Sequence, residues 1–146
     1  MTTPHPVTKE YFCKRLADLC LKSGLLDLPK DMTDRHILLK SAVLMVGQPG
    51  SGLTEKEVNE KLELWFLEVG QIQYLDPATM RRSLVDAGYL NRSKDGSAYQ
   101  VSKPGPSTVQ FDESVDQLDI VQVISAARDE LARRKKEYLE KSKGNQ

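Results

Sequence analysis

The sequence predicts a mainly α-helical protein with one small β-hairpin. Two observations predict the helices. Apolar residues recur at spacings of three and four over five segments, and residues with N-capping side chains begin three of them. A third observation predicts the hairpin, because Asp95-Gly96 lies between two short strand-like runs, and an Asp-Gly pair favours a tight turn. With 146 residues, the chain has the length of one ordinary domain.

The first two helices are predicted on either side of a break at Ser23-Gly24. Apolar residues at helical spacing indicate an amphipathic helix over residues 8–22. A second helix should begin near Asp31 or Thr33, since both residues are competent N-caps. Its residues are apolar almost all round from 37 to 46, so we expect this helix to be the most buried.

Two further helices follow a glycine-rich segment, residues 47–52, which is predicted to be a loop. Thr54 and Glu57 match the capping-box pattern and predict a helix that ends at Gly70. Asp76 followed by a proline predicts the start of the next helix, which should run to about residue 88. Met80 and Leu84 would line its inner face.

The C-terminal part is predicted to be a linker followed by a long amphipathic helix. We divide the chain into residues 1–103, a domain with an N-terminal helical extension, residues 104–113, the linker, and residues 114–146, the helix. An apolar stripe follows the helix at spacings of four, three, four and seven: Ile120, Ile124, Ala127, Leu131 and Tyr138. The stripe either forms a homodimer or contacts another protein, or it folds back on its own domain.

The order of elements is that of a winged helix-turn-helix domain: apolar helix, loop, capped helix, short connector, second capped helix, hairpin. A more specific pattern consists of residues 53–59, LTEKEVN, residues 80–90, MRRSLVDAGYL, Arg92, and residues 95–99, DGSAY. With these segments, residues 37 to 101 resemble the bacterial family known as domain of unknown function 2087. Because some members are fused to helix-turn-helix regulators, the resemblance implies a regulatory setting. It implies no catalytic residue.

This reading predicts double-stranded DNA as a partner and transcription regulation as the function. The candidate contacts lie on the outer face of the helix after Asp76 and on the hairpin: Thr79, Arg81, Arg82, Ser83, Arg92 and Lys94, with Lys103 as a further candidate. In the structural alternative, Arg81 and Arg82 hold the domain together through local ion pairs, for example with Asp86. The alternative function is a protein-protein interaction or assembly module without enzymatic activity.

Charge and motif content argue against several other classes. Lysine and arginine total 21, as do aspartate and glutamate, so no overall positive field attracts a polyanion. The two histidines and two cysteines have no zinc-ligand spacing, and we expect neither a metal nor a cofactor. Catalytic motifs are not found, so we expect no enzyme. Without a signal-like N-terminus or a membrane-length apolar run, a cytoplasmic protein is expected.

Overall fold

The structure is a computed structural model that describes residues 6–105 and 108–144. Residues 1–5, 106–107 and 145–146, which belong to the predicted domain, linker and C-terminal helix respectively, lie outside the described residues. The described residues form a mainly helical fold with a small antiparallel sheet, which confirms the predicted fold class. The elements are α1 Lys9–Leu21, α2 Met32–Val46, β1 Gly52–Thr54, α3 Glu55–Glu68, α4 Pro77–Asp86, β2 Leu90–Arg92, β3 Ala98–Val101, a 3-10 helix Glu113–Gln117 and α5 Ile120–Gly144.

The helix starts predicted from capping residues are confirmed. Asp31 caps α2, its carboxylate accepting from the Asp34 backbone N–H at 3.0 Å. At α3, the Thr54 hydroxyl accepts from the Glu57 N–H, while the Glu57 carboxylate accepts from the Thr54 N–H. Asp76 caps α4 in the same way. Each cap satisfies backbone donors that have no partner within the helix, which is why the starts can be predicted locally.

The sheet contains one more strand than the sequence predicts. Its order is β1-β3-β2, and all pairs are antiparallel. The predicted hairpin is confirmed as β2 and β3. The loop predicted over residues 47–52 is wrong for Gly52, which begins β1. This strand has only three residues, and its partners Ala98 to Gln100 lie far along the chain, so no local pattern indicates it.

The core forms around α2, which is the most buried helix, as predicted. Nine of its residues are buried, whereas α1 and α3 each bury three. Trp65 of α3 is fully buried against it, and the indole N–H donates to the Ser41 hydroxyl at 3.0 Å. Ser41 in turn donates to the Leu38 carbonyl at 2.6 Å. The polar atoms inside this contact are therefore satisfied, and α2 and α3 are held in one register.

The C-terminal helix begins later than predicted. The sequence predicts a helix from Ser114, but residues 113–117 form a 3-10 helix capped by Asp112. Leu118 is extended, with ψ at 138°, which interrupts the helical path. Asp119 then caps α5 by accepting from the Gln122 N–H at 3.2 Å. Because two capping carboxylates follow each other at short distance, the helical pattern is broken into two elements.

Residues 110–112 of the predicted linker pair with Val7, just before α1. The Val7 N–H donates to the Gln110 carbonyl, and the Asp112 N–H donates to the Val7 carbonyl, both at 2.8 Å. Phe111 packs edge-on against Phe12, with ring centroids 5.7 Å apart. The division into domain, linker and C-terminal helix stays a prediction. In the described part of the chain, no helix is long and apolar enough to cross a membrane.

Candidate nucleic-acid interface

A surface hollow lies between α4 and the β2–β3 hairpin. Its volume is about 340 Å³, and three of its lining residues are arginines: the lining consists of Arg81, Arg82, Val85, Asp86, Arg92 and Tyr99. The hollow thus brings together three of the predicted DNA contacts, from two elements. Tyr99 was not predicted as part of the site. Its position at an inward-facing site of alternating strand β3 is the signal that could have found it.

The packing of α4 determines which of its side chains face outward. Met80 and Leu84 are fully buried, as predicted for the inner face. Arg82 and Asp86 are therefore exposed on the opposite side, while Thr79 and Ser83 are half-buried at its margins. Asp76 accepts a hydrogen bond from the Thr79 N–H at 2.7 Å, which lowers the pKa of its carboxyl, and the Arg82 charge lowers it further. The start of α4 therefore stays capped by an ionised group.

Arg81 lies against α3 and contributes to packing. Its Nη2 is 3.0 Å from a carboxylate oxygen of Glu55, and its Nη1 donates to the Asn59 side-chain oxygen. The guanidinium carbon also lies 5.8 Å from the centroid of the Tyr99 ring. Only 16% of the Arg81 side chain is exposed. These contacts agree with the structural alternative for Arg81, in which a local ion pair joins two helices.

Arg82 differs from Arg81 in its contacts. Within the described residues it forms no ion pair, and the expected pair with Asp86 is not formed. The two side chains nevertheless line the same hollow. Adjacent arginines on α4 thus occupy different environments, because successive helical residues point about 100° apart.

Arg92 is the last residue of β2 and lies beside the hydrogen-bonded turn of the hairpin. Asp95 accepts from the Ser97 N–H at 3.0 Å and from the hydroxyls of Ser93 and Ser97, and these bonds lower its pKa to about 2. Gly96 has a φ of +76°, which glycine adopts without strain, and the Arg92 guanidinium covers it. Lys94 is exposed at the same turn. Arg92 is thereby held across the turn and beside the hollow.

The further candidate Lys103 is engaged elsewhere. Its ammonium lies 3.2 Å from Asp116, next to the buried ion pair between Lys40 and Asp116 at 2.6 Å. Lys103 therefore fastens the end of the hairpin to the segment before α5. The sequence did not predict this cluster, because its three members are distant in the chain.

The predicted dimerisation residues divide into three environments. Ile120 and Ile124 are buried in the chain's own core. Ala127 and Leu131 are half-buried in a crevice beside α1, and Tyr138 is 72% exposed. For the first four residues this matches the alternative in which the stripe folds back on its own domain. The homodimer stays a prediction.

His36 is buried, and Cys13 and Cys20 are partly buried against the core. The His36 Nδ1 is 2.8 Å from the Tyr89 hydroxyl, and burial lowers the pKa of His36 and raises that of Tyr89. Burial also raises the pKa of Cys20 to about 12, and it raises the pKa of Cys13. Among residues 6–105 and 108–144, no group of three or more His, Cys, Asp or Glu side chains could hold a metal ion.

Comparison with known proteins identifies a family. The family model described as "Uncharacterized protein conserved in bacteria (DUF2087)" matches residues 24–101. The match begins earlier than the resemblance seen in the sequence and includes the connector before α2, all of α2 to α4, and the three strands. No curated protein and no solved structure matches the chain. Since the family model covers more than half of the chain, the protein belongs to the DUF2087 family.

Proposed function

We propose that residues 32–101 form a winged helix-turn-helix unit that binds double-stranded DNA and acts without catalysis in transcription regulation. The order α2, β1, α3, α4, β2, β3 supports this assignment, as does the short connector between α3 and α4. In this arrangement α3 supports α4, the outer face of α4 enters a groove, and the hairpin is the wing that contacts the adjacent backbone.

One observation carries the proposal. Arg82 of α4 and Arg92 of the hairpin line the same hollow, both are exposed, and neither forms an ion pair within the described residues. Two guanidinium groups on neighbouring elements can bind successive phosphates, because each presents several N–H donors in a planar fork. Thr79 and Ser83 are half-buried at the margin of this face of α4, and in the proposed complex their hydroxyls would reach base edges.

The charge around this face limits the affinity. The α3 sequence contains five glutamates and two lysines, and Arg81 is already paired with Glu55. Few phosphates can therefore be neutralised by α4 and the hairpin. We expect binding to mixed-sequence DNA at the weak end of the non-specific range, with a Kd of roughly 10⁻⁴ to 10⁻⁶ M at physiological salt.

A second candidate function, a protein-interaction module, is supported by an apolar surface on another side. A hollow of about 480 Å³ lies between the connectors that precede α2 and α4, and Phe66 and Ile72 line it. Leu26 also lines it and is 55% exposed. Tyr74, whose backbone N–H donates to the Leu26 carbonyl at 2.8 Å, is 68% exposed. Exposed apolar groups gathered in this way are typical of contact surfaces.

Fluorescence anisotropy with a mixed-sequence duplex at low and physiological salt tests the proposal. The unmodified chain should bind in a salt-sensitive way. Arg82→Ala and Arg92→Ala should each weaken binding and make the slope of log K against log salt shallower by about 0.9. Lys30→Ala is the matched control, since it removes an exposed cation that lies outside both the hollow and α5. Unchanged binding in both hollow variants would reject this face, and no binding even at low salt would favour the protein-interaction function.

A further inference from the structure

The C-terminal half of α5 differs in charge from the rest of the chain. We call residues 132–144 the α5 tip. It contains six lysines and arginines and two glutamates, a net charge of +4. The whole chain has a net charge of zero, so the remaining residues carry −4. Residues 132–143 are all exposed, and the tip is about 20 Å long at 1.5 Å per residue. A positively charged rod therefore extends from a negatively charged body.

The arginines of the tip are neutralised along one side of the helix. Arg133 contacts Glu130 at 2.6 Å and Glu137 at 2.5 Å, and Arg134 contacts Glu130 at 3.0 Å. The two arginines lower the pKa of Glu130, so this carboxylate stays ionised at neutral pH. Pairs at these spacings stabilise an isolated helix. The helix can therefore persist beyond the body of the protein without being covered.

The lysines of the tip are arranged differently. None forms an ion pair within the described residues, and three of them fall on one face. At 3.6 residues per turn, an arc of roughly 100° contains no acidic residue and holds Lys135, Lys136 and Lys143 together with Ala132 and Leu139. Glu137 and Glu140 lie outside this arc. The separation leaves a lysine face beside a neutralised face on the same helix.

We propose that the lysine face of the α5 tip binds the phosphate backbone of double-stranded DNA, as a contact that is independent of base sequence. The inference rests on one part of the proposed function, namely that this protein binds double-stranded DNA. Helix α4 and the hairpin offer only Arg82, Arg92 and Lys94 as uncompensated cations. The tip supplies the missing positive charge along a length over which duplex DNA carries about 12 negative charges.

The composition of the tip favours DNA over a membrane surface. A helix that binds lipid headgroups needs a broad apolar face with bulky residues, opposite a basic face. The lysine face contains one large apolar residue, Leu139, and Tyr138 lies outside it. Lysine ammonium groups on flexible side chains act as point charges for phosphate without fixed geometry, which suits a contact that does not read bases.

The test compares two variants of the full chain in the anisotropy assay. The tip variant is Lys135→Gln, Lys136→Gln, Lys143→Gln, because glutamine has a similar helix propensity to lysine and carries no charge. The control variant removes three other exposed, unpaired lysines of the described chain: Lys9→Gln, Lys14→Gln, Lys30→Gln. Loss of three phosphate contacts should make the salt slope shallower by about 2.7. Between 50 and 200 mM salt, the affinity of the unmodified chain should then fall about 40-fold more than that of the tip variant.

Each outcome decides the inference. A shallower slope in the tip variant alone supports it. Equal slopes in all three chains overturn it, and so does an equal loss in both variants, which would indicate a general effect of net charge. Unaltered DNA binding, combined with loss of binding to vesicles that contain anionic lipid, would assign the tip to membranes and overturn it as well.

The assay also tests the α4 and hairpin face separately from the tip contact. If Arg82→Ala and Arg92→Ala weaken binding while the tip variant does not, the α4 and hairpin face stands and the tip contact is overturned. If only the tip variant weakens binding, the tip contact stands and the α4 and hairpin face is rejected. Circular dichroism of each variant confirms that α5 remains helical before the comparison is made.

Discussion

Replacing Asp116 by asparagine is expected to destabilise the protein by about 3 kcal/mol. The Asp116 carboxylate lies 2.6 Å from the Lys40 ammonium, and only 9% of the Lys40 side chain is exposed. Burial alone would raise the pKa of Asp116, but the hydrogen bonds and charges of Lys40 and Lys103 lower it below its ordinary value. Asparagine at position 116 would leave the buried Lys40 ammonium without a counter-charge. Breaking a buried pair in this way costs about 3–5 kcal/mol, and the partial exposure of Asp116 favours the lower value.

Removing the other partner should have a much smaller effect. Lys40→Met eliminates the buried charge and keeps an unbranched side chain of similar volume, while Asp116 retains Lys103 at 3.2 Å. The expected change is below about 1 kcal/mol, since apolar replacement of a buried ion is often neutral. In the Lys40→Met background, Asp116→Asn should also cost little. Urea unfolding followed by fluorescence of the single tryptophan, Trp65, measures all four chains. Equal losses in the two single variants would refute the reasoning.

Three further predictions concern stability. The Asp34 pKa is held below its ordinary value of 3.8 by two hydrogen bonds of 2.8 Å from Arg15, so its stabilising contribution is present above that pH and is lost as pH falls through the folded-state pKa. The stability difference between the unmodified chain and Asp34→Asn should therefore shrink between pH 7 and pH 3 in urea unfolding. Arg81→Ala should cost about 1–2 kcal/mol without changing the salt slope of DNA binding, and a shallower slope would contradict its packing role. Gly70→Ala should cost about 1–3 kcal/mol and shift the tryptophan emission, since the new methyl group would lie 2.5 Å from Trp65; an unchanged spectrum would contradict this contact.

The elements that could be predicted from the sequence are those fixed by neighbouring residues. The capping box of Thr54 and Glu57 and the cap at Asp76 act across three residues, so their sequence spacing indicates their geometry. Strand β1 could not be predicted in this way. Its three residues pair with β3, and α3, α4 and β2 lie between the two strands in the chain. Short strands of this kind depend on distant pairing partners and have no local signature.

Helical geometry predicts part of the candidate site, because it separates the outer face of α4 from its inner face. Met80 and Leu84 define the inner stripe of α4, and Arg82 lies almost opposite to it, so its exposure follows from the sequence. Arg81 lies at the flank of the same stripe, where contact with a neighbouring helix is expected. Its partner Glu55 belongs to α3, and the position of that helix depends on tertiary packing. The sequence could therefore separate the two arginines, but it could not identify the partner of Arg81.

The apolar stripe of α5 shows why a heptad pattern cannot identify its own partner. Ile120 and Ile124 have the spacing that two copies would use in a coiled coil, and the same spacing serves a helix that covers its own core. The contacts that fix the position of α5 are made by residues that precede the helix. Phe111 packs on Phe12, and Asp116 binds a buried lysine, so the start of α5 is fixed against α1 and α2. The stripe stays covered as far as Leu131, which is half-buried, and beyond it the helix is exposed and lysine-rich. One helix thus has a packing half and a charged half, and the charged half is left accessible to a polyanion.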